Sequence, residues 1–139
     1  MMKEYILGLN LVDLISEKHK VLRDRVNMAS GEKLNKTETH ILAMLELHVM
    51  LSISEISRLI SISRQGTQKT INNLLAGGYV DTAIVEGNSR DKHIVLTPRG
   101  AEVCRSMLEI KQDIESEIAA RIGKDQVEVL RKLLTEDWL

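Results

Sequence analysis

Apolar residues recur at helical spacing along most of the chain and alternate with polar residues in only one stretch. From Lys3 to about Ala29 the helical spacing predicts one long helix. Asn35 and Glu38 then stand at the spacing of a capping box, and so do Ser52 and Glu55. The pattern therefore predicts two further helices, one beginning after Asn35 and a short one beginning after Ser52.

The short helix is followed by the polar break Ser61-Ile62-Ser63, and Ser63 can cap another helix. This second helix ends at Gly77-Gly78, because glycine adopts a left-handed backbone at little cost. Two helices joined by a three-residue turn are typical of a helix-turn-helix.

After Gly78 the period changes to about two. Residues 79–86 and 93–97 read as two strands, and the polar segment 87–92 between them reads as a loop, which together predict a hairpin. Pro98 then begins a helix capped by Thr97, and Gly123 ends that helix after Ile122. Asp125 and Glu128 stand at cap spacing for a last helix.

The helix that follows Ser63 has two unlike faces. Thr67, Ile71 and Leu74 form its apolar stripe, whereas the other face carries Arg64, Gln65, Gln68, Lys69 and Asn72. Long amide and cationic side chains can hydrogen-bond base edges and phosphates in a major groove. A solvated surface would also be polar, but the neighbouring turn and hairpin favour a DNA-recognition helix.

Charge and composition limit this interpretation. The chain has 139 residues, enough for one domain with its own core. Its net charge of −1 argues against a protein that coats nucleic acid by bulk electrostatics. Between Ser52 and Thr97 there are five basic and four acidic side chains, yet residues 64–73 contain no acid. DNA contact must therefore come from local arrangement.

Other classes of function find little support in the sequence. Phosphate-binding glycine loops, nucleophile elbows and paired zinc histidines are missing, so we expect no enzyme, cofactor or metal site. The single cysteine, Cys104, excludes an internal disulfide and suits a reducing compartment. No apolar run is long enough to span a membrane. We expect a cytoplasmic protein without a membrane partner.

The motifs resemble those of the MarR family of winged helix-turn-helix bacterial transcriptional regulators. The resemblance rests on the order Leu34-Asn35-x-x-Glu38, Ser52-x-x-Glu55-Ile56-Ser57, Ser63-Arg64-Gln65, Leu74-x-x-x-Gly78-Tyr79-Val80, Arg90 and Leu96-Thr97-Pro98-Arg99-Gly100. It covers nearly the whole chain. One position departs from the family pattern, because Asn88 stands where the family usually has an aspartate two residues before the wing arginine. Asp91 is an alternative partner for Arg90.

The resemblance implies a mainly α fold, a winged helix-turn-helix with a two-stranded wing and dimerising terminal helices. Residues 1–30 would form the N-terminal dimerisation helix, 34–97 the DNA-binding lobe and 98–139 the C-terminal dimerisation helices. The homodimer would bind a palindromic operator and respond to a small-molecule effector. DNA contact is expected from ten residues, namely Ser52, Ser63, Arg64, Gln65, Thr67, Gln68, Lys69, Asn72, Arg90 and Lys92.

Two alternatives stay open at the level of sequence. The first is a winged-helix module that binds another protein instead of DNA, which the low net charge would suit. The second is a regulator that responds to a metal ion or to oxidation of Cys104. Because His19, His40, His48 and His93 are scattered and Cys104 lies within an apolar helical pattern, an ordinary structural role is favoured for all five residues.

Overall fold

The computed structural model describes residues 2–31, 33–87 and 92–139. Its elements are α1 (Met2–Leu7), α2 (Leu11–Ala29), α3 (Lys36–His48), β1 (Met50–Ser52), α4 (Ile53–Ile60), α5 (Arg64–Ala76), β2 (Val80–Ala83), β3 (His93–Leu96), α6 (Pro98–Ile122) and α7 (Lys124–Thr135). They form two compact units, the winged unit (Glu32–Ser106) and the terminal unit (Met1–Gly31 with Met107–Leu139). The predicted mainly helical, winged fold is confirmed.

The winged unit contains an antiparallel sheet of three strands in the order β1-β3-β2. Ile94 in the central strand β3 lies opposite Leu51 in β1 and Thr82 in β2. The predicted two-stranded wing of β2 and β3 is present, and the sheet has a third strand, β1, that the sequence did not indicate. The additional strand, β1, joins the sheet to the residue that caps α4.

The three-residue strand β1 escaped the sequence pattern because it is too short to show alternation. It follows Val49, whose φ of 70° is unusual for a β-branched side chain, at the end of α3. Its last residue, Ser52, is also the N-cap of α4. A strand that merges into a cap leaves no separate signal in the sequence.

Strand β2 is shorter than the predicted segment 79–86 and ends at Ala83. Ala83 pairs with His93, the first residue of β3, so the described ladder stops at this pair. The next residue, Ile84, is fully exposed. In the sequence, the alternation of apolar and polar residues therefore continues past the last pair of the described ladder.

The core of the winged unit draws on helices α3, α4 and α5, on the sheet and on the first turns of α6. Its most deeply buried side chains, which exclude solvent almost completely, are Ile41, Leu42, Leu45, Ile56, Thr67, Ile71, Leu74 and Ile94. Complete burial of an aliphatic side chain of this size contributes about 1.5–3 kcal/mol relative to exposure. This core holds the helix-turn-helix against the sheet.

Two capping boxes start the helices that lead to the turn, as predicted. Before α3 the side chain of Asn35 accepts from the Glu38 backbone N–H, and the Glu38 carboxylate accepts from the Asn35 N–H. Ser52 and Glu55 make the same reciprocal pair before α4, at 3.1 and 3.0 Å. Each box satisfies two backbone donors that the first turn of a helix leaves open.

The terminal unit begins with two helices, so the prediction of one helix from Lys3 to Ala29 was wrong. Helix α1 ends at Leu7, and the side chain of Asn10 caps α2 by accepting from the Asp13 backbone N–H at 2.9 Å. The apolar residues continue at helical spacing across this break, which hid it. An asparagine cap with an aspartate three residues later was the available signal.

Helix α6 begins at Pro98 as predicted, and the Thr97 Oγ1 atom accepts from the Gly100 backbone N–H at 3.1 Å. Helix α7 follows Gly123, whose φ of 100° permits the abrupt change of direction. The predicted cap by Asp125 was wrong, because α7 starts at Lys124 without a side-chain cap. Asp125 instead lies in the first turn, where its negative charge interacts favourably with the helix dipole.

Ion pairs connect the three long helices of the terminal unit. Arg25 in α2 binds Glu117 in α6 through both carboxylate oxygens, at 2.8 and 2.7 Å, and Arg131 in α7 pairs with Glu115 in α6. All four side chains are solvent-exposed, so each pair contributes at most about 1 kcal/mol. Across the described residues, no helix is long and apolar enough to cross a membrane.

Among the glycines that the structure describes in the winged unit, Gly100 leaves the least room for a Cβ. A Cβ at this position would lie 2.0 Å from the carbonyl oxygen of Tyr79, which is backbone and has little freedom to move. We expect Gly100→Ala to lower the free energy of unfolding by about 3 kcal/mol, the upper range for overpacking. Urea unfolding followed by circular dichroism measures the change.

Gly31→Ala is the matched control, because nothing lies within 4 Å of a Cβ at that position. This variant should stay within about 0.5 kcal/mol of the native chain. Equal stability of the two variants would contradict the close contact between Gly100 and Tyr79.

The capping box of α4 predicts a pH dependence of stability. The backbone N–H of Ser52, and then its side chain, hold the pKa of Glu55 below its ordinary value of 4.5. The folded chain therefore binds this proton less tightly than the unfolded chain. The stabilisation from Glu55 is complete above pH 4.5 and is lost as the pH falls through the lowered pKa.

Glu55→Gln keeps an oxygen that can accept from Ser52 but removes the charge. We expect this variant to have a free energy of unfolding about 0.5 kcal/mol lower than that of the native chain at pH 7, which is the contribution of one charge at the start of a helix. In acid the stability difference between the variant and the native chain should become smaller. Urea unfolding between pH 7 and pH 3 measures both effects. Glu46→Gln, at an exposed carboxylate within α3, is the control for the effect of net charge alone. If acid reduces the stability difference equally in both variants, the effect does not come from the capping box of Glu55.

Candidate nucleic-acid interface

The turn between α4 and α5 is fixed by serine side chains. Ser61 ends α4 in the left-handed region, with φ 55° and ψ 43°. Ser57 reaches forward from α4, and its Oγ donates to the Ile62 carbonyl oxygen at 2.7 Å, while the Ile62 N–H donates to the Ser57 carbonyl oxygen at 3.3 Å. These bonds determine the direction in which the chain enters α5.

Helix α5 starts at a serine cap, as predicted. The Oγ of Ser63 accepts from the Gly66 backbone N–H at 3.0 Å, and the Ser63 carbonyl oxygen accepts from the Thr67 N–H at 2.9 Å. A Cβ at Gly66 would lie only 3.1 Å from that Oγ, so the small residue lets the cap close tightly. The first turn of α5 is therefore well defined before any partner binds.

One face of α5 is buried completely. The residues on this face, Thr67, Ile71 and Leu74, have no solvent-exposed surface. The buried hydroxyl of Thr67 has a hydrogen-bond partner, because its Oγ1 donates to the Ser63 carbonyl oxygen at 2.9 Å. Thr67 was among the ten expected DNA contacts, and its burial corrects that assignment. Ser52 is buried as well, at 2% exposure, and its Oγ is engaged in the cap of α4. Both residues support the fold.

The opposite face of α5 is exposed and free of acid. Arg64, Gln65, Lys69 and Asn72 are exposed and Gln68 is half-buried, as the predicted helix requires. Ser63 is exposed at the start of the helix. No acidic residue occurs in the sequence between Glu55 and Asp81. The side chains on this face are thus amides, cations and a hydroxyl, and none of them would repel a phosphate.

Two hydrogen bonds organise the exposed face, and neither was evident from the sequence. The Nη1 of Arg64 donates to the Oγ of Ser54 in α4, so this cation also ties the two helices together. The Nε2 of Gln68 donates to the Oδ1 of Asn72 at 2.9 Å. The spacing of four residues between Gln68 and Asn72 is a signal for their bond that the sequence does contain. The bond between Arg64 and Ser54 has no such signal, because it joins positions ten residues apart across the turn.

The far end of α5 is held by the start of α6. Thr97 donates through Oγ1 to the Gly78 carbonyl oxygen at 2.6 Å, just after the helix ends. The Arg99 guanidinium lies 4.6 Å from the centre of the Tyr79 ring and donates to the Tyr79 hydroxyl at 3.1 Å. Gly78 itself has a φ of 78°, which fits the predicted glycine stop.

Among the predicted wing residues, the structure describes Lys92. Its side chain is exposed, and its carbonyl oxygen accepts from the Ile53 backbone N–H at 3.2 Å, which connects the base of the wing to α4. Arg90, together with Asn88 and Asp91, lies outside the described residues. The DNA contact predicted for Arg90 therefore stays a prediction.

The cysteine and the histidines do not gather into a site in the part of the chain that the structure describes. Cys104 is buried, and its Sγ donates to the Leu42 carbonyl oxygen at 3.6 Å. No group of three or more histidine, cysteine, aspartate or glutamate side chains among residues 2–31, 33–87 and 92–139 could hold a metal ion.

Comparison with known proteins bears on these features. Residues 33–91, which include the whole helix-turn-helix, match the model of the MarR family. No curated protein sequence matches the chain.

Solved structures share the fold at low sequence identity. Wild-type MarR from E. coli in its apo form is 20% identical, with 91% of this chain and 95% of that chain covered and a TM-score of 0.76. FabT from Streptococcus pneumoniae in complex with DNA is 22% identical, with 88% and 87% covered and a TM-score of 0.73. A MarR mutant from E. coli complexed with operator DNA is 18% identical, with 89% and 88% covered and a TM-score of 0.68.

The family match covers the segment that forms the helix-turn-helix, and the solved structures share the fold over about nine-tenths of the chain. The family assignment made from the sequence motifs is thereby confirmed. Residues 33–91 of the chain match the MarR family, whose members are winged-helix transcriptional regulators.

Proposed function

We propose that the protein is a homodimeric repressor that reads a palindromic operator and releases it when a small molecule binds. The observation that carries the DNA-binding part is the exposed, acid-free face of α5, held in place by the fully buried face behind it. A rigid helix with amides and cations on its outer face has the chemistry needed to enter a major groove.

The exposed side chains of α5 divide into two chemical groups. Gln65, Gln68 and Asn72 carry amides, which suit base edges, whereas Arg64 and Lys69 carry positive charge, which suits phosphates. We assign the Ser63 hydroxyl and Lys92 to phosphate contact, and Arg90 to the minor groove, where a narrow groove attracts arginine. Support comes from FabT and the MarR mutant, whose structures were solved with DNA.

The dimer is inferred from apolar surface that the terminal unit leaves uncovered. No residue of α7 is buried, although Leu130, Leu133 and Leu134 lie in it and are about half exposed. In α2, Leu11 and Val12 are 64% and 74% exposed. Exposed apolar stripes of this kind mark interfaces, and a twofold dimer is the commonest way to cover them.

A dimer also explains how one short helix achieves specificity. Two copies of α5 spaced by one helical turn of DNA, roughly 34 Å, would meet the two halves of a palindrome. An effector that prefers a dimer with a different spacing must weaken DNA binding by the same factor by which DNA weakens the effector. Repression and effector response rest on the family resemblance.

DNA binding is tested by fluorescence anisotropy with duplex DNA from the region upstream of the protein's own gene, beside a scrambled duplex. We expect specific binding to be at least about 1000-fold tighter than binding to the scrambled duplex at physiological salt. Equal, weak affinity for both duplexes would contradict autoregulation by sequence-specific binding and would favour the protein-interaction alternative.

Lys69→Ala tests the orientation of α5 in the same assay. It should weaken binding to both duplexes and reduce the slope of log affinity against log salt by about one unit, since one phosphate contact is lost. Lys111→Ala, an exposed lysine of α6, is the matched control and should leave the slope unchanged.

The dimer is tested by light scattering and sedimentation on the full chain. We expect a mass of twice 15.7 kDa at micromolar concentration. Leu130→Glu combined with Leu134→Glu places two charges one turn apart on the exposed stripe of α7 and should shift the mass towards 15.7 kDa. Glutamate is a good helix former, so α7 itself should persist.

Leu47→Glu is the control for the dimer, because Leu47 is 71% exposed but lies in α3 of the winged unit. It should leave the mass unchanged. A native chain that is monomeric at micromolar concentration would refute the dimer.

A further inference from the structure

The amide pair on α5 suggests which base the protein reads. Gln68 and Asn72 are separated by four residues, so they are neighbours on one helical face. Gln68 donates one N–H from Nε2 to the Asn72 Oδ1 at 2.9 Å. Gln68 is half-buried and Asn72 is exposed, so the bond forms at the surface that the proposed function turns towards DNA.

This bond leaves a defined pattern on the Gln68 amide. A glutamine amide has two N–H donors and one carbonyl acceptor, and Asn72 takes one of the donors. The amide keeps one N–H donor and its carbonyl acceptor for another partner. In the major groove, adenine offers the complementary pair, with N7 as acceptor and the N6 amino group as donor. Guanine offers two acceptors and cytosine one donor, so neither matches both atoms.

We propose that Gln68 reads an adenine in each operator half-site and that Asn72 is the positioning residue that presents the Gln68 amide to it. This proposal rests on the proposed function, since it requires α5 to lie in the major groove. It goes further by naming the base and by giving Asn72 a positioning role in place of the base contact that its amide would also suit.

The pairing matters because a free glutamine side chain has many rotamers, and fixing them opposes binding. Orienting the Gln68 amide before DNA arrives removes part of that entropic cost. The backbone beneath it is already fixed, because the neighbouring residue Thr67 and the residue Ile71 are fully buried. The Gln68 side chain is thus fixed at its backbone by helix α5 and at its amide by the hydrogen bond to Asn72.

The rest of the exposed face is consistent with this specificity. Aspartate and glutamate are the side chains that accept from the cytosine amino group, and α5 has neither. Arg64, which could read guanine, is hydrogen-bonded to Ser54 in α4. Amides therefore dominate what α5 can offer to base edges, and amides pair best with adenine.

The test is selection of bound sequences from a random duplex DNA library, with the base preference at every position compared between the native chain and four variants. The native chain should select a motif with an adenine in each half-site. In Gln68→Ala the preference at that position should fall about 5- to 150-fold, the range for one bidentate contact.

The Asn72 variants separate positioning from base contact. Asn72→Ala should lower the preference for the same adenine by about 2- to 12-fold, the worth of one hydrogen bond. Asn72→Asp keeps an oxygen that accepts from Gln68, so it should keep the adenine preference while its charge lowers affinity for all sequences. Asn73→Ala is the matched control, at an adjacent exposed asparagine, and should change neither.

The outcomes distinguish this proposal from the proposed function. A native chain that selects no motif overturns the proposed function and this inference with it. A clear motif in which no adenine responds to Gln68→Ala overturns this inference alone. If Asn72→Ala leaves the adenine preference unchanged, or abolishes preference at a different position, Asn72 is not the positioning residue. Circular dichroism melting of each variant confirms that it is folded.

Discussion

Complete burial of one face of α5 is the constraint on which the site depends. Thr67, Ile71 and Leu74 are each withdrawn entirely from water, so the helix cannot rotate without exposing them. Their burial fixes which side chains point outwards. Thr67 satisfies its hydroxyl within the helix, by donating to the Ser63 carbonyl oxygen, so it can lie in the core without an unpaired polar atom. The burial of the inner face of α5 therefore determines which residues form its outer face.

Both ends of α5 are held by short-range bonds. At the start, Ser57 fixes the turn and Ser63 caps the helix. At the other end Thr97 binds the Gly78 carbonyl oxygen, and Gly100 allows α6 to approach the backbone of Tyr79. The start of α6 therefore supports both the end of α5 and the start of the wing strand β2. A substitution at one of these supporting residues should therefore affect DNA binding by changing how α5 is held, even though the residue does not contact the DNA.

The electrostatic feature that favours contact with DNA is local to one stretch of the chain. The chain as a whole carries a net charge of −1, so long-range attraction to DNA is weak. The stretch from Glu55 to Asp81 contains no acid between its ends, and α5 occupies its centre. A protein with little net charge and such a local surface favours specific contacts with DNA over bulk electrostatic adhesion. The amide pair of Gln68 and Asn72 adds orientation to that chemistry.

Much of the fold could be read from the sequence because its signals are local. Asn35 with Glu38, Ser52 with Glu55, and Pro98 each mark a helix start that the structure confirms. The break at Asn10 was hidden because apolar spacing runs through it. Strand β1 was hidden because it is three residues long and is stabilised by β3, more than forty residues away in sequence.

The site was predicted less completely than the fold. Helical periodicity placed Arg64, Gln65, Lys69 and Asn72 on the exposed face, where the structure has them. Periodicity could not show that Ser54 binds Arg64, because that contact crosses the turn and depends on tertiary packing. It also could not show which rotamers Gln68 and Asn72 adopt.

The most direct test of the central claim is an NMR titration of the ¹⁵N-labelled protein with a duplex selected for binding. If α5 enters the major groove by its exposed face, the side-chain amide signals of Gln65, Gln68 and Asn72 should shift strongly as the duplex is added. Asn27, an exposed asparagine of α2, should stay unchanged. Shifts at Asn27 and in the terminal helices, with none on α5, would contradict the account.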